Sequence, residues 1–164
     1  MAQKLSLARR RLAAVPRPDS QQESRVVSLA VASPPIPESD AKIFFIERDG
    51  LAYAGTHVLA DFWGASNLDD PATMETALRE AVDAVGATLL SVHVHHFSPN
   101  GGVSAVAVLA ESHISVHTWP ERGYAAFDVF TCGSCNPHNA IPVLKRAFQP
   151  KFVQLNEQKR GIVG

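Results

Sequence analysis

The run from Ser112 to Cys132 constrains the fold more than any other stretch of the chain. Two segments of alternating character, Ser112 to Trp119 and Tyr124 to Cys132, flank Pro120-Glu121-Arg122-Gly123, whose proline and glycine suit a tight turn. The pattern predicts a β-hairpin. With Trp119 against Tyr124, an antiparallel ladder sets Ser115 opposite Asp128, His117 opposite Ala126 and Glu111 opposite Cys132. One face then carries Ile114, Val116, Ala125, Phe127 and Val129, an ordinary core face. The other carries Glu111, His113, Ser115, His117, Trp119, Tyr124, Asp128 and Cys132, which is far more chemistry than a structural hairpin needs. Ser112 falls on the wrong side of this alternation. For its hydroxyl to join the polar face, the Glu111–Ser112 junction has to be a bulge, a bend or a strained turn.

Around this hairpin the chain reads as a single domain from residue 43 to residue 164, preceded by an extension. Residues 1 to 42 combine Arg9-Arg10-Arg11 with Pro16, Pro18, Pro34, Pro35 and Pro37 and scattered Ser, Gln and Glu, too little apolar surface to offset ordering entropy, so disorder is expected there. Ile43 to Ile46 forms a lead-in, and His57 to Trp63 a strand bracketed by Gly55 and Gly64. Asp70 and Pro71 supply an N-cap and a first-turn proline for a helix with Met74, Leu78, Ala81, Val82 and Val85 on one face and Gly86 as its stop. Strands are expected over Thr88 to Phe97 and Val103 to Ala110. A second helix is expected behind Asn139 as cap and Pro142, and a short last strand from Phe152 to Leu155. This order gives an α/β (α+β) fold, a two-layer sandwich of a mostly antiparallel sheet with helices on one face. The other face stays open for a site or a partner subunit.

Composition excludes several classes. The net charge of −1 offers no footprint for nucleic acid or an anionic membrane. The apolar patch from Val26 to Ala32 is too short to span a bilayer and, with Glu23 and Arg25 before it, poor as a signal segment. Two cysteines with no secretory signal point to a reducing cytoplasm rather than a disulfide framework. His93, His95, His96, His113 and His117, with Cys132 and Cys135, could in principle supply zinc ligands. However, His96 points opposite to His93 and His95, and one Cys-x-x-Cys without a partner pair is weak, so no metal is expected.

The hairpin's residues suggest a definite chemistry. A serine hydroxyl can attack the carbonyl carbon of the preceding residue and turn the Glu111–Ser112 amide into an ester, if the backbone is strained and the oxyanion stabilised. Loss of the serine α-proton to a base such as an imidazole then expels the ester, and hydrolysis leaves a pyruvoyl ketone. Such a ketone captures a substrate amine and accepts electrons as carbon dioxide leaves, and a thiol can return a proton to the carbanion.

Glu111-Ser112-His113, His117-Thr118-Trp119-Pro120-Glu121 and the run from Gly123 to Gly133 closely resemble the bacterial S-adenosylmethionine decarboxylases, which generate a pyruvoyl group by cleaving themselves at such a Glu-Ser bond. The likeness extends to His96-Phe97, Gly102-Val103-Ser104 and Gly55-Thr56-His57, covering roughly residues 53 to 160. It implies Ser112 as pyruvoyl precursor, His117 as acid/base of self-processing, Cys132 as proton donor and Ser104 as a helper in processing. Phe97 and Trp119 would form the adenine and sulfonium environment, and Glu121 would hold the ribose hydroxyls. The substrate implied is S-adenosylmethionine, the product an aminopropyl donor for spermidine synthesis, and the assembly a homodimer of processed protomers. Taken singly, His117 and Cys132 would be structural residues, Phe97 and Trp119 core, and Glu121 and Ser104 ordinary turn and strand positions. Cys135 lies outside the motif and could pair with Cys132. Alternatives are a decarboxylase of the same fold acting on ornithine or arginine, and a non-catalytic partner subunit or binding module.

Overall fold

The computed structural model describes residues 45–163, and the expected disorder of residues 1–42 lies outside them. The chain begins with a small hairpin, β1 (Ile46–Arg48) and β2 (Leu51–Tyr53), then runs β3 (Gly55–Trp63), α1 (Pro71–Val85), β4 (Leu89–His96), β5 (Val103–Leu109), β6 (Ser112–Trp119), β7 (Tyr124–Thr131), α2 (Ala140–Phe148) and β8 (Phe152–Arg160). The larger sheet has six strands in the order β4-β5-β6-β7-β3-β8, with every neighbouring pair antiparallel. Both helices pack on one face of it.

The hairpin predicted from the sequence forms in the predicted register: Trp119 pairs with Tyr124, Ser115 with Asp128 and His117 with Ala126. Its turn is a single 3-10 turn, Pro120–Arg122, closed by Gly123. Ile114, Val116, Ala125, Phe127 and Val129 are all buried. They meet Met74, Leu78, Ala81 and Val82 of α1 and Leu144 and Phe148 of α2, and Phe127 stands between Phe62 and Phe148 at ring-centroid distances of 4.9 and 5.6 Å. Period two in the strands and period 3.6 in the helices thus point at one core. Asp70 caps α1 as expected, its side chain accepting from Ala72 N, and Gly86 ends the helix in the left-handed region.

The structure corrects the sequence reading in three places. The last strand continues to Arg160 rather than ending at Leu155, because β8 is an exposed edge strand held by its backbone ladder to β3, and burial left no alternating pattern in its side chains. Asn139 makes no capping bond; Asn136 does, accepting from His138 N at the start of a 3-10 turn, Pro137–Asn139, that leads into α2. The β1–β2 hairpin was not anticipated, although Asp49-Gly50, with φ of 53° and 75°, is the dipeptide such a two-residue turn demands.

One buried hydroxyl ties the loop before α1 to the sheet. Thr118 Oγ1 accepts from Val103 N at 2.7 Å and donates to Leu68 O at 2.8 Å. Thr118→Val keeps the shape but strands both backbone groups, so urea unfolding should show a loss of about 2 kcal/mol with an unchanged m-value.

Candidate active site on the open face of the sheet

The face away from the helices is ruled into rows by the ladder. Moving along β6, the rows pass through His113, Ser115, His117 and Trp119, and each continues across β7 and β3 to β8. Ser112 stands at one end of these rows and Trp119 at the other.

At the first end, the two-residue turn Ala110-Glu111 links β5 to β6, and Ser112 emerges from it with φ of 143°. A non-glycine residue rarely occupies that region, and holding one there stores on the order of 1–3 kcal/mol. The distortion expected at the Glu111–Ser112 junction is present. Glu111 is held from both sides. Its carboxylate accepts from Thr88 N at 2.8 Å and Thr88 Oγ1 at 3.1 Å, and the Thr88 amide, the larger influence, lowers its pKa despite some desolvation. Its carbonyl oxygen accepts from Cys132 N at 3.1 Å. The Cys132 amide therefore already polarises the carbonyl that a neighbouring hydroxyl would attack, a role that no side-chain pattern reveals. Burial raises the Cys132 thiol above its ordinary value, with the Glu111 charge acting in the same direction, so the thiol keeps its proton. Cys135 donates its thiol to Gly86 O at 3.3 Å.

Two imidazoles also stand at this end. His57 and His113 flank Phe130, with their ring centroids 6.4 Å apart. His57 Nε2 lies 3.1 Å from Asp128 Oδ1, and His57 Nδ1 lies 3.3 Å from Arg160 Nη1. The sequence pattern places Asp128 on this face and gives His57 as the start of a strand and part of a motif, without a role in the site. Arg160 lies beyond Leu155, where the sequence pattern ends the last strand.

The other end holds the remaining expected residues. His117 Nδ1 and Ser104 Oγ are 2.6 Å apart, joined across the β5–β6 ladder. Both line a cavity of about 390 Å³ with Phe97, Trp119, Glu121 and Asn100. Phe97 and Trp119 are roughly half exposed, at 48% and 42%, so neither is a core residue. Trp119 stacks on Tyr124, and Tyr124 on Trp63, at 5.2 and 4.3 Å between centroids. The Tyr124 hydroxyl donates to Asp61 at 2.6 Å, and burial together with that carboxylate pushes its pKa up to about 12. Asp61 and Trp63, absent from the sequence-derived set, thus fix the aromatic stack. His93 and His95 lie on this face, whereas His96 pairs with Val103 on the helix side. No cluster of three or more potential metal ligands forms among the described residues.

The expected residues therefore form two groups. Ser112, Glu111 and Cys132 share one end of the face, and His117, Ser104, Phe97, Trp119 and Glu121 share the other. His117 follows Ser112 by five positions on the same straight strand, a separation of about 16 Å at 3.3 Å per residue. Within one copy, His117 cannot reach the Ser112 α-proton.

The chain is similar to known proteins over most of its described length. The family model described as S-adenosylmethionine decarboxylase matches residues 56–161, a span that includes every residue of both groups. The S-adenosylmethionine decarboxylase proenzyme of Thermomicrobium roseum is 48% identical over 110 residues, covering 66% of this chain and 95% of that protein. The proenzyme of the same name from Methanococcus maripaludis strain C7 is 51% identical over 112 residues, covering 66% of this chain and 91% of that one. The crystal structure of the adenosylmethionine decarboxylase from Aquifex aeolicus superposes with a TM-score of 0.60 at 36% identity, over 68% of this chain and 94% of that one. Matched by that family model over residues 56–161 and by these two proenzymes at about half identity, the chain belongs to the S-adenosylmethionine decarboxylase family.

Proposed function

We propose that this S-adenosylmethionine decarboxylase makes a pyruvoyl group from its own Ser112 and works as a homodimer in which each site draws on both copies. The observation that carries the second half is the separation of about 16 Å between Ser112 and His117 on one strand. Two open faces stacked about a two-fold axis that lies parallel to them and across the strands would set one copy's His117 end over its partner's Ser112 end, with sheets about 10 Å apart.

The junction fits self-processing. Ser112 Oγ forms a bond to the Glu111 carbonyl carbon, drawn by the strain in Ser112 and by the Cys132 amide, which stabilises the oxyanion; the Glu111–Ser112 amide then gives way to an ester. In the residue paired with Ser112, Thr131 buries a hydroxyl with no partner among the described residues, a further polar group at the site of rearrangement. The imidazole of His117, steadied by Ser104, takes the Ser112 α-proton, the ester breaks with the new C-terminal carboxylate of Glu111 leaving, and hydrolysis of the dehydroalanine that remains releases ammonia. Once formed, the pyruvoyl group supplies a ketone that binds the substrate amine and an adjacent carbonyl that accepts the electrons of decarboxylation. Around it, Phe97 and Trp119 offer faces to the adenine and the sulfonium, and Glu121 accepts from the ribose hydroxyls. Cys132 returns a proton to the substrate carbon. The product would serve as aminopropyl donor for spermidine synthesis, in the cytoplasm. No helix among the described residues is long and apolar enough to cross a membrane.

Three measurements test this reading. Denaturing mass spectrometry of the parent should give fragments 1–111 and 112–164, the second with a blocked terminus. Ser112→Ala should stay whole and release no carbon dioxide from S-adenosylmethionine above background, while the parent should prefer that substrate to ornithine or arginine. Release of carbon dioxide by intact Ser112→Ala at the parent rate would end the proposal.

Cys132→Ser keeps the backbone amide, so cleavage should proceed while turnover drops about 100-fold or more. Because the parent acid works only while protonated and burial raises its pKa, turnover should hold up through the ordinary cysteine range and fall only at higher pH. A parent decline within or below that range contradicts the role.

Co-expression of Ser112→Ala with His117→Ala distinguishes a shared site from one within a single chain. Each variant alone should be inert. Mixed dimers should recover one working site in two, with cleavage confined to the His117→Ala chain. No recovery in dimers shown to be mixed would place the site within one copy.

A further inference from the structure

β8 supplies the only Lys or Arg residues in the six-stranded sheet, Lys159 and Arg160, and the ladder puts only Arg160 on the open face. Its backbone pairs with Gly55, beyond which lies Cys132. The guanidinium does not stay over its own strand. Its Nη1 lies 3.3 Å from His57 Nδ1 on β3 and its Cζ 5.8 Å from the ring of Phe130, so the side chain reaches over β3 toward the Phe130 ring. The Phe130 ring leans over Gly55 on β3, where an added Cβ would come within 2.7 Å of Thr131 O and 2.8 Å of that ring.

The guanidinium is braced. Arginine can only donate, so His57 Nδ1 accepts and the imidazole carries its proton on Nε2, which donates to Asp128 Oδ1 at 3.1 Å. His113 stands beyond His57 on the same row, its ring 6.4 Å away. No carboxylate among the described residues is ion-paired with Arg160. The result is a fixed, exposed fork of donors aimed across the face toward the end that bears Ser112 and Cys132. A planar fork of this kind matches a carboxylate.

We propose that Arg160, held over β3 by the His57–Asp128 pair, recognises the α-carboxylate of the substrate. This rests on the proposed function, in which the amino-acid end of S-adenosylmethionine lies at Ser112 while its nucleoside occupies the aromatic cavity. The carboxylate is still in place as its bond to the α-carbon begins to break, so a contact to it holds ground state and transition state alike. Such uniform binding appears in KM and not in kcat. It also separates substrate from product, since the product lacks the carboxylate.

The test uses the full-length processed enzyme. Arg160→Ala should raise KM about 10-fold or more, the scale of a lost charge-assisted hydrogen bond, and leave kcat within about 3-fold. Calorimetric titration with the decarboxylated product, which does not turn over, should give the parent's affinity within about 2-fold. Arg160→Lys should recover part of the lost KM, and His57→Gln should shift it in the same direction by less. Mass spectrometry showing complete cleavage at Ser112 in each variant confirms that the fold is kept. An unchanged KM in Arg160→Ala, or equal weakening of substrate and product, overturns the assignment. A parent that releases no carbon dioxide from S-adenosylmethionine overturns the proposed function instead, and with it this contact.

Discussion

The pairing of Trp119 with Tyr124 fixes nearly everything else in this molecule. A slip of one residue would turn Ile114, Val116, Phe127 and Val129 to solvent and drive His117 and Asp128 into the core, so the apolar face alone selects the register. Once that ladder is set, β5 and β3 can only extend it on either side. The rows of the open face follow, including the Ser104–His117 contact and the alignment of His57 with Phe130.

The same ladder accounts for the strain at Ser112. Its partners, Leu109 and Thr131, belong to the helix side of the sheet, and both are buried. A tight turn enters β6 at this residue, and the peptide must rotate out of the extended region to make the connection. The core's grip on β6 and β7 therefore stores energy at the peptide bond where the proposed self-cleavage takes place. Hydrogen bonds from Thr88 and from the Cys132 amide hold Glu111 on the other side of that bond, so the junction is pre-aligned rather than loose.

A straight strand has a second consequence. It keeps Ser112 and His117 five residues apart along β6, a gap that nothing within one copy closes. The proposed stacking of two such faces solves this with symmetry, each copy lending its nucleoside cavity to the other's reactive end. The exposed aromatic and imidazole side chains of the face, costly to leave in water as a broad patch, are consistent with a surface that is covered in the working enzyme.

Much of this was legible in the chain alone. Alternation in Ser112 to Cys132 determined the hairpin, its register and both of its faces, and the parity of Ser112 announced the distortion, because a two-residue period leaves a misfit nowhere else to go. Asp70, Pro71 and Gly86 marked the limits of α1 for equally local reasons. β8 was cut short because an edge strand secured by backbone bonds carries no periodic signature. As a result, Arg160 and its partnership with His57 and Asp128, which lie 103 and 32 positions before it, could not be read. Only the tertiary structure decided which residues share an end of the face. The sequence put His117 and Cys132 on one side of a sheet with Ser112 at a distorted junction beside them, whereas three-dimensional distance, set by strand rise and strand order, divided the three into two groups.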